Sequence, residues 1–234
     1  MALEGSQYRE PRDPVRPPAA ASHSFELTTA GDAGRAAVEA YIAQKFAATY
    51  GARIHSFLPQ LLSLHRGGVI DAALGLRRAD SGALFLEQYL DRPVERQLAA
   101  AAGRPVARSD IVEIGNLVST SRGSSQMLFL MLAELFAEAR VNWAIFTATP
   151  EVHKLLSRLT ADQIVLCVAD GGRLGAQLQN WGSYYDTCPA VTAIDVTASR
   201  EILLQRPLVC ELLRNCAAQA KPLARMFLEG NKCN

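Results

Sequence analysis

The chain has almost no net charge: 24 basic and 23 acidic side chains leave +1 over 234 residues. That balance argues against a nucleic-acid footprint, which needs a clustered basic face. An uncharged apolar run of about 18 residues, long enough to span a bilayer, is missing as well. The first residues also lack the apolar stretch of a secretory signal, so a cytoplasmic location is the expectation. Cys167, Cys188, Cys210, Cys216 and Cys233 are odd in number and contain no C-x-x-C pair. They read as reduced thiols, not as a disulfide framework or a zinc site. His23, His55, His65 and His153 lack ligand spacing too, and no metal is expected.

What the chain does have is an apolar content of 49%, ample for the core of one compact α/β domain of this length. Its prolines gather early. Glu10 to Pro18 read EPRDPVRPP, and small and polar residues follow to Ser24. Residues 1–24 cannot bury enough apolar surface to offset their ordering entropy and are expected to form a disordered, mobile tail. Beyond it, Val38, Tyr41, Ile42 and Phe46 recur at helical spacing, predicting a helix over 33–50 with Asp32 as N-cap and Gly51 as terminator. Two apolar runs flanking Arg66-Gly67-Gly68 predict a β-hairpin over 56–77, with Pro59 pushing its first strand toward an edge or a bulge. Another helix, over 86–101, ends at Gly103-Arg104-Pro105.

The richest stretch is Ile111 to Leu130, IVEIGNLVSTSRGSSQMLFL, which reads as strand, small polar loop, then a densely apolar helix. Free backbone N–H groups at such a helix start suit an anionic group. Arg122, Gly123, Ser124, Ser125 and Gln126 are therefore candidate cofactor-binding residues, and Leu117, Val118 and Ser119 join them because their backbone N–H groups would polarise a bound carbonyl if the strand bulges there. Glu113 and Asn116 interrupt the apolar strand. Two readings fit Glu113: a general base whose pKa burial raises toward working pH, or a sheet carboxylate paired with an arginine. Glu87, beside Gln88 and Tyr89, is either a second candidate base or acceptor-binding group, or a solvated helix carboxylate.

Strands are predicted at 142–148, 164–168 and 191–196, with Thr149-Pro150-Glu151 opening a helix after the first of them. Between the last two, GGRLGAQLQNWGSYYDT reads as a long functional loop or a helix plus turn. Its Trp181, Tyr184 and Tyr185 form an aromatic cluster, either packed lid or site wall, in which a tyrosine hydroxyl is a candidate acid. Phe129, Phe146 and Trp143 read as core. Residues 199–229 read as two helical pieces, divided at Pro207 or near Pro222.

This element order resembles the GNAT-type N-acyltransferases, including their branch of acyl-homoserine-lactone synthases and N-acyl amino acid synthases. The strings YGARIHSFLPQLLSL, LFLEQYLDRPVE, IVEIGNLVS, WAIFTATPEV and WGSYYDTCP are more specifically similar to the thermostable hemolysin family, over most of residues 40–196. The resemblance implies an α/β (α+β) fold: a mixed central sheet flanked by helices, with splayed strands forming an acyl-carrier cleft. It divides the chain into the tail, an acyltransferase domain over 25–198 and a helical extension over 199–234. The implied reaction moves a medium- or long-chain acyl group directly from a thioester to a small-molecule amine such as an amino acid. The implied donor is acyl-CoA or the phosphopantetheine of an acyl carrier protein.

Carried onto this chain, the resemblance makes Glu113, Asn116 and Tyr184 the catalytic candidates and Glu87, Gln88, Tyr89, Trp181 and Tyr185 the substrate-binding ones. Two departures stand out. The family phosphate motif Q/R-x-x-G-x-G/A keeps only Gly123 in Thr120 to Ser125, leaving Arg122 to supply positive charge. Autoinducer synthases follow their strand glutamate three positions later with arginine, where this chain has Asn116. The family name also suggests a membrane-active protein without catalysis, and a cleft that binds an acyl carrier without chemistry is a further alternative. Pore formation fits poorly with a chain lacking a spanning segment.

Overall fold

The computed structural model describes residues 23–230. The expected mobile tail and Cys233 lie outside the described residues, apart from His23 and Ser24, which open a strand instead of closing a tail. Within the described residues seven strands, β1 (His23–Thr28), β2 (Gln60–Arg66), β3 (Val69–Arg78), β4 (Ile111–Ser119), β5 (Trp143–Ala148), β6 (Gln163–Val168) and β7 (Ala190–Asp195), form one sheet. Their order is β1-β2-β3-β4-β5-β7-β6. Every neighbouring pair is antiparallel except β4 and β5.

Strand β1 is an addition to the predicted elements. Its Phe25 and Leu27 alternate inward, and it pairs with β2 over its whole length, so β2 is not an edge strand. Pro59 stands just before β2 and gives its carbonyl to Arg35 Nη1 at 2.7 Å. The bulge of that hairpin falls later, between Leu64 and His65, and Gly67 and Gly68 turn the chain with φ of 59° and 81°.

Among the described residues six helices cover the sheet: α1 (Arg35–Tyr50), α2 (Val94–Ala102), α3 (Arg122–Ala139), α4 (Pro150–Leu156), α5 (Val196–Leu204) and α6 (Pro207–Glu229). Helix α1 starts after Gly34, not at an Asp32 cap; Asp32 Oδ2 accepts the Thr29 amide at 2.7 Å and closes the preceding turn. Gly51 does end the helix, in the left-handed conformation. The helix expected over 86–101 is split by Pro93 into a 3₁₀ turn, Phe85–Tyr89, and α2. Between β6 and β7 the chain forms two 3₁₀ segments, Gly171–Trp181 and Tyr184–Thr187. The C-terminal division falls at Pro207, while Pro222 is accommodated inside α6.

On one face of the sheet, Leu62, Leu74 and Val112 meet Leu128, Leu135 and Phe136 of α3 and Leu223 and Phe227 of α6. Each such side chain, fully buried, contributes about 1.5–3 kcal/mol of transfer free energy. Helix α6 is part of this core: Gln219 Oε1 accepts the Phe25 amide at 3.2 Å and Gln60 Nε2 donates to the Phe227 carbonyl at 2.9 Å. On the other face, Ile111, Ile145 and Ala193 lie under Leu86, Tyr89 and Leu98. Ile42 and Phe46 of α1 cover Leu61 and Ala73 beside them. Among the described residues no helix is long and apolar enough to cross a membrane.

Candidate active site

The parallel ladder between β4 and β5 runs only from Ile111 opposite Trp143 to Ile114 opposite Phe146. Beyond it, β4 continues to Ser119 along β3 and β5 to Ala148 along β7, so the two strands part and leave a slot. The parting has a local cause. Asn116 takes a left-handed φ of 54°, and the β3–β4 register slips between Ala73 and Gly75, so that β4 bulges at Asn116 and Leu117. Asn116 Oδ1 accepts the Leu58 amide at 3.0 Å and pins the segment before β2 against the bulge. Gly75 is required there, since a Cβ would come within 2.7 Å of Leu58 Cβ.

A cavity of about 380 Å³ opens through this slot. Ile114, Phe129 and Phe146 line it on the α3 face, and Glu113, Phe85, Gln88, Tyr89, Trp181, Tyr184 and Tyr185 on the other. Phe129 and Phe146 are thus wall as well as core, because the strands separate beside them; Trp143 is core as expected, 3% exposed. The same three residues, Ile114, Phe129 and Phe146, border a small apolar pocket of about 50 Å³ that continues under α3 toward Leu156 and Leu203.

Glu113 is 3% exposed. Its Oε1 accepts the Leu86 amide at 2.9 Å and its Oε2 the Phe85 amide at 3.1 Å, so the carboxylate caps the 3₁₀ turn that forms one cavity wall. Burial pushes its pKa above the ordinary value of 4.5, against the two amides and the nearby Arg77 that pull it down. Among the described residues it has no ion-pair partner, it is shielded from solvent, and it keeps a face on the cavity.

Glu87 behaves differently and lies outside the cavity wall. Arg108 Nη1 and Nη2 donate to it at 2.7 Å each, and the Leu84 and Val94 amides add two more bonds. The Arg108 contact, with those amides, lowers its pKa to about 2 despite partial burial, which removes it as a base. Nothing in the sequence beside Glu87 points to Arg108, which stands in the 3₁₀ turn between α2 and β4. Gln88 and Tyr89, its neighbours, do line the cavity.

The aromatic cluster is assembled as a wall. Phe85 and Trp181 centroids lie 5.5 Å apart, Trp181 and Tyr184 5.4 Å, and Tyr184 and Tyr185 5.1 Å with edge-to-face rings. Tyr184 donates its hydroxyl to the Thr147 carbonyl at 3.3 Å, which places it at the end of β5 where the strands part. Tyr89 and Tyr185 share a short hydroxyl–hydroxyl hydrogen bond. Burial raises all three tyrosines, Tyr185 to about 12, so each holds its proton at neutral pH.

The polar loop does lead into a helix, and Arg122 to Ser125 already belong to its first turn. Ser121 caps α3 by accepting the Ser124 amide at 3.3 Å. Its small side chains are then largely committed: Ser124 Oγ donates to Asp71 Oδ2 at 2.7 Å and Ser119 Oγ pairs with Ser125 Oγ at 2.6 Å. Asp71 Oδ2 also meets Arg66 at 2.9 Å, so a carboxylate already stands against the helix start. Of the residues predicted to hold the donor, Leu117 lines the cavity, and Val118 packs instead on the α1 cluster. Ser119, Arg122, Gly123, Ser124, Ser125 and Gln126 lie beyond the cavity wall, at the mouth of α3. Among the described residues no group of side chains has metal-ligand geometry.

The model of the family described as thermostable hemolysin matches residues 28–200. The chain belongs to the thermostable hemolysin family. The family match includes both strands of the slot and ends before α6, although α6 completes the core. This thermostable hemolysin family member also shares its fold with solved N-acyl synthases. FeeM, an N-acyl amino acid synthase from uncultured soil microbes, superposes with a TM-score of 0.56 at 16% identity, covering 81% of this chain and 97% of FeeM. The AHL synthase LasI gives 0.54 at 12% identity over 78% and 94% of the two chains. BjaI, a CoA-dependent acyl-homoserine lactone synthase solved with SAM and isopentyl-CoA, gives 0.50 at 11% identity over 88% and 100%. The mixed sheet flanked by helices is therefore the fold of these synthases. No curated protein matches the sequence.

Proposed function

We propose that the protein is an N-acyltransferase that moves an acyl group from a thioester to an amine by direct transfer. The observation that carries this reading is Glu113: a buried carboxylate with raised pKa, held in a slot that passes through the sheet. A thioester lying in the slot has its acyl chain along Ile114, Phe129 and Phe146 and toward the apolar pocket under α3, which favours medium or long chains. The amine enters from the aromatic side. Its nitrogen attacks the thioester carbonyl, Glu113 takes a nitrogen proton, the C–N bond forms and the C–S bond breaks. The Tyr184 hydroxyl donates a hydrogen bond to the departing thiolate, which takes up, through solvent, the proton that Glu113 removed from the nitrogen. Similarity of fold to N-acyl synthases supports the reaction class, and site chemistry supports the roles.

The donor is the acylated phosphopantetheine of either coenzyme A or a carrier protein, and the α3 start supplies Arg122 and the first-turn amides to its phosphate. No metal takes part in this scheme. The test is thiol release by purified protein from decanoyl-CoA or a decanoyl carrier protein, with and without added amines. Amine-dependent release with a matching amide product is the expected result. Lysis of red cells by purified protein without thiol release overturns the reading in favour of a non-catalytic membrane-active protein.

A further inference from the structure

Among the described residues, Arg77 and Glu113 are the two charged ones in the cavity wall. They stand directly opposite each other on β3 and β4 and project from the same face of the sheet, with Cβ atoms about 5 Å apart. Among the described residues neither takes part in an ion pair. The carboxylate is turned to the Phe85 and Leu86 amides, and the guanidinium makes one hydrogen bond, from Nη1 to the Ala83 carbonyl at 3.0 Å. A cation and an anion set side by side but unpaired, in an otherwise uncharged aromatic cavity, match a ligand that carries both charges.

We propose that the acceptor is an α-amino acid with an apolar or aromatic side chain. Its carboxylate binds the Arg77 guanidinium, its amine meets Glu113, and its side chain rests on Phe85, Trp181 and Tyr185. A simple amine would satisfy Glu113 and leave the guanidinium without a counter-charge. An amino acid brought out of water needs both its charges met, or their desolvation outweighs the gain from binding. Guanidinium also offers the planar fork that a carboxylate accepts in two parallel bonds. The wall excludes acidic and basic acceptor side chains for want of a further charge to pair with them. The assignment rests on the acyl-transfer reading for the fate of the amine, but not for the binding of the acid.

The experiment compares leucine, phenylalanine, tyrosine and tryptophan with their decarboxylated amines, using decanoyl-CoA and measuring thiol release. The wild-type protein should favour at least one amino acid over its amine by about 100-fold in kcat/KM. Arg77→Gln should collapse that ratio toward one, mainly through KM for the amino acid, and Arg77→Lys should restore part of it. Equal use of amino acid and amine by the wild type, or an undiminished ratio in folded Arg77→Gln, overturns the assignment. Calorimetric titration of the same amino acids separates the two readings. Binding that depends on Arg77 without any thiol release upholds the amino-acid site and overturns acyl transfer, whereas neither binding nor turnover overturns both.

Discussion

Glu113 Oε1 accepts the Leu86 amide at 2.9 Å, so one carboxylate both faces the cavity and fixes the turn that walls it. Replacement by Gln therefore has two effects. The amide NH₂ cannot accept, which strips one of the Phe85 and Leu86 amides of its partner and costs about 1 kcal/mol of stability. Loss of the base lowers the acyl-transfer rate per folded molecule by on the order of 100-fold. Thiol release normalised to folded fraction checks both, and full turnover per folded molecule would move the base elsewhere.

The two glutamates of this region should respond to pH in opposite directions. Glu87 is held at about 2, below its ordinary 4.5, so its contribution to stability is present above pH 4.5 and is lost as pH falls toward 2. Glu113 is raised, so it favours the fold below pH 4.5 and weakens it as pH rises through its folded value. Activity follows the second group: kcat/KM should rise with pH through a pKa above 4.5. Denaturation midpoints from pH 2 to 8 for wild type, Glu87→Gln and Glu113→Gln read the two slopes. A steeper acid limb in Glu87→Gln than in wild type would contradict the assignment.

At the start of α3, two substitutions should act with opposite sign on donor affinity. A Cβ at Gly123 meets only Ser121 Oγ, at 3.8 Å, so Gly123→Val folds while crowding backbone approach, and affinity for an acyl thioester falls. Asp71→Asn removes the carboxylate beside the same turn, and affinity for decanoyl-CoA rises several-fold. Binding isotherms for coenzyme A thioester and carrier protein measure both. No change in either variant with either donor places the phosphate elsewhere.

Phe129 and Phe146 stand between the cavity and the apolar pocket under α3. Phe129→Ala opens a path between them, so the preferred acyl chain should lengthen by two to four carbons, by about 0.8 kcal/mol for each newly buried methylene. A series of acyl-CoA donors from eight to sixteen carbons reads the shift. An unaltered optimum in a folded variant would return Phe129 to a purely packing role.

Much of this site was legible from residue type. Glu113 stood out because a carboxylate interrupts an apolar strand, and the tyrosine cluster because aromatic residues gather in one glycine-punctuated loop. Arg77 did not, because GLRRAD reads as an ordinary strand end and only the β3–β4 register sets it against Glu113. Nor did Arg108, whose pairing with Glu87 depends on how α2 folds back. Strand β1 was hidden by the proline-rich segment before it, although HSFELT alternates correctly; its burial comes from α6, which lies nearly two hundred positions away. Asp32 looked like a cap by type, but the turn at Thr29 claimed its carboxylate first.

The sheet is two antiparallel ladders, β1 to β4 and β5-β7-β6, stitched together by the short parallel seam from Ile111 to Ile114. Below the slot, backbone hydrogen bonds hold the ladders in register; above it, only side chains and the helices bridge them. A chain of methylenes lying between the strands would therefore act as mortar, completing a junction the polypeptide leaves open. Widening the slot would take a rotation of one half-sheet against the other about that seam, with neither half giving up its own ladder of backbone hydrogen bonds.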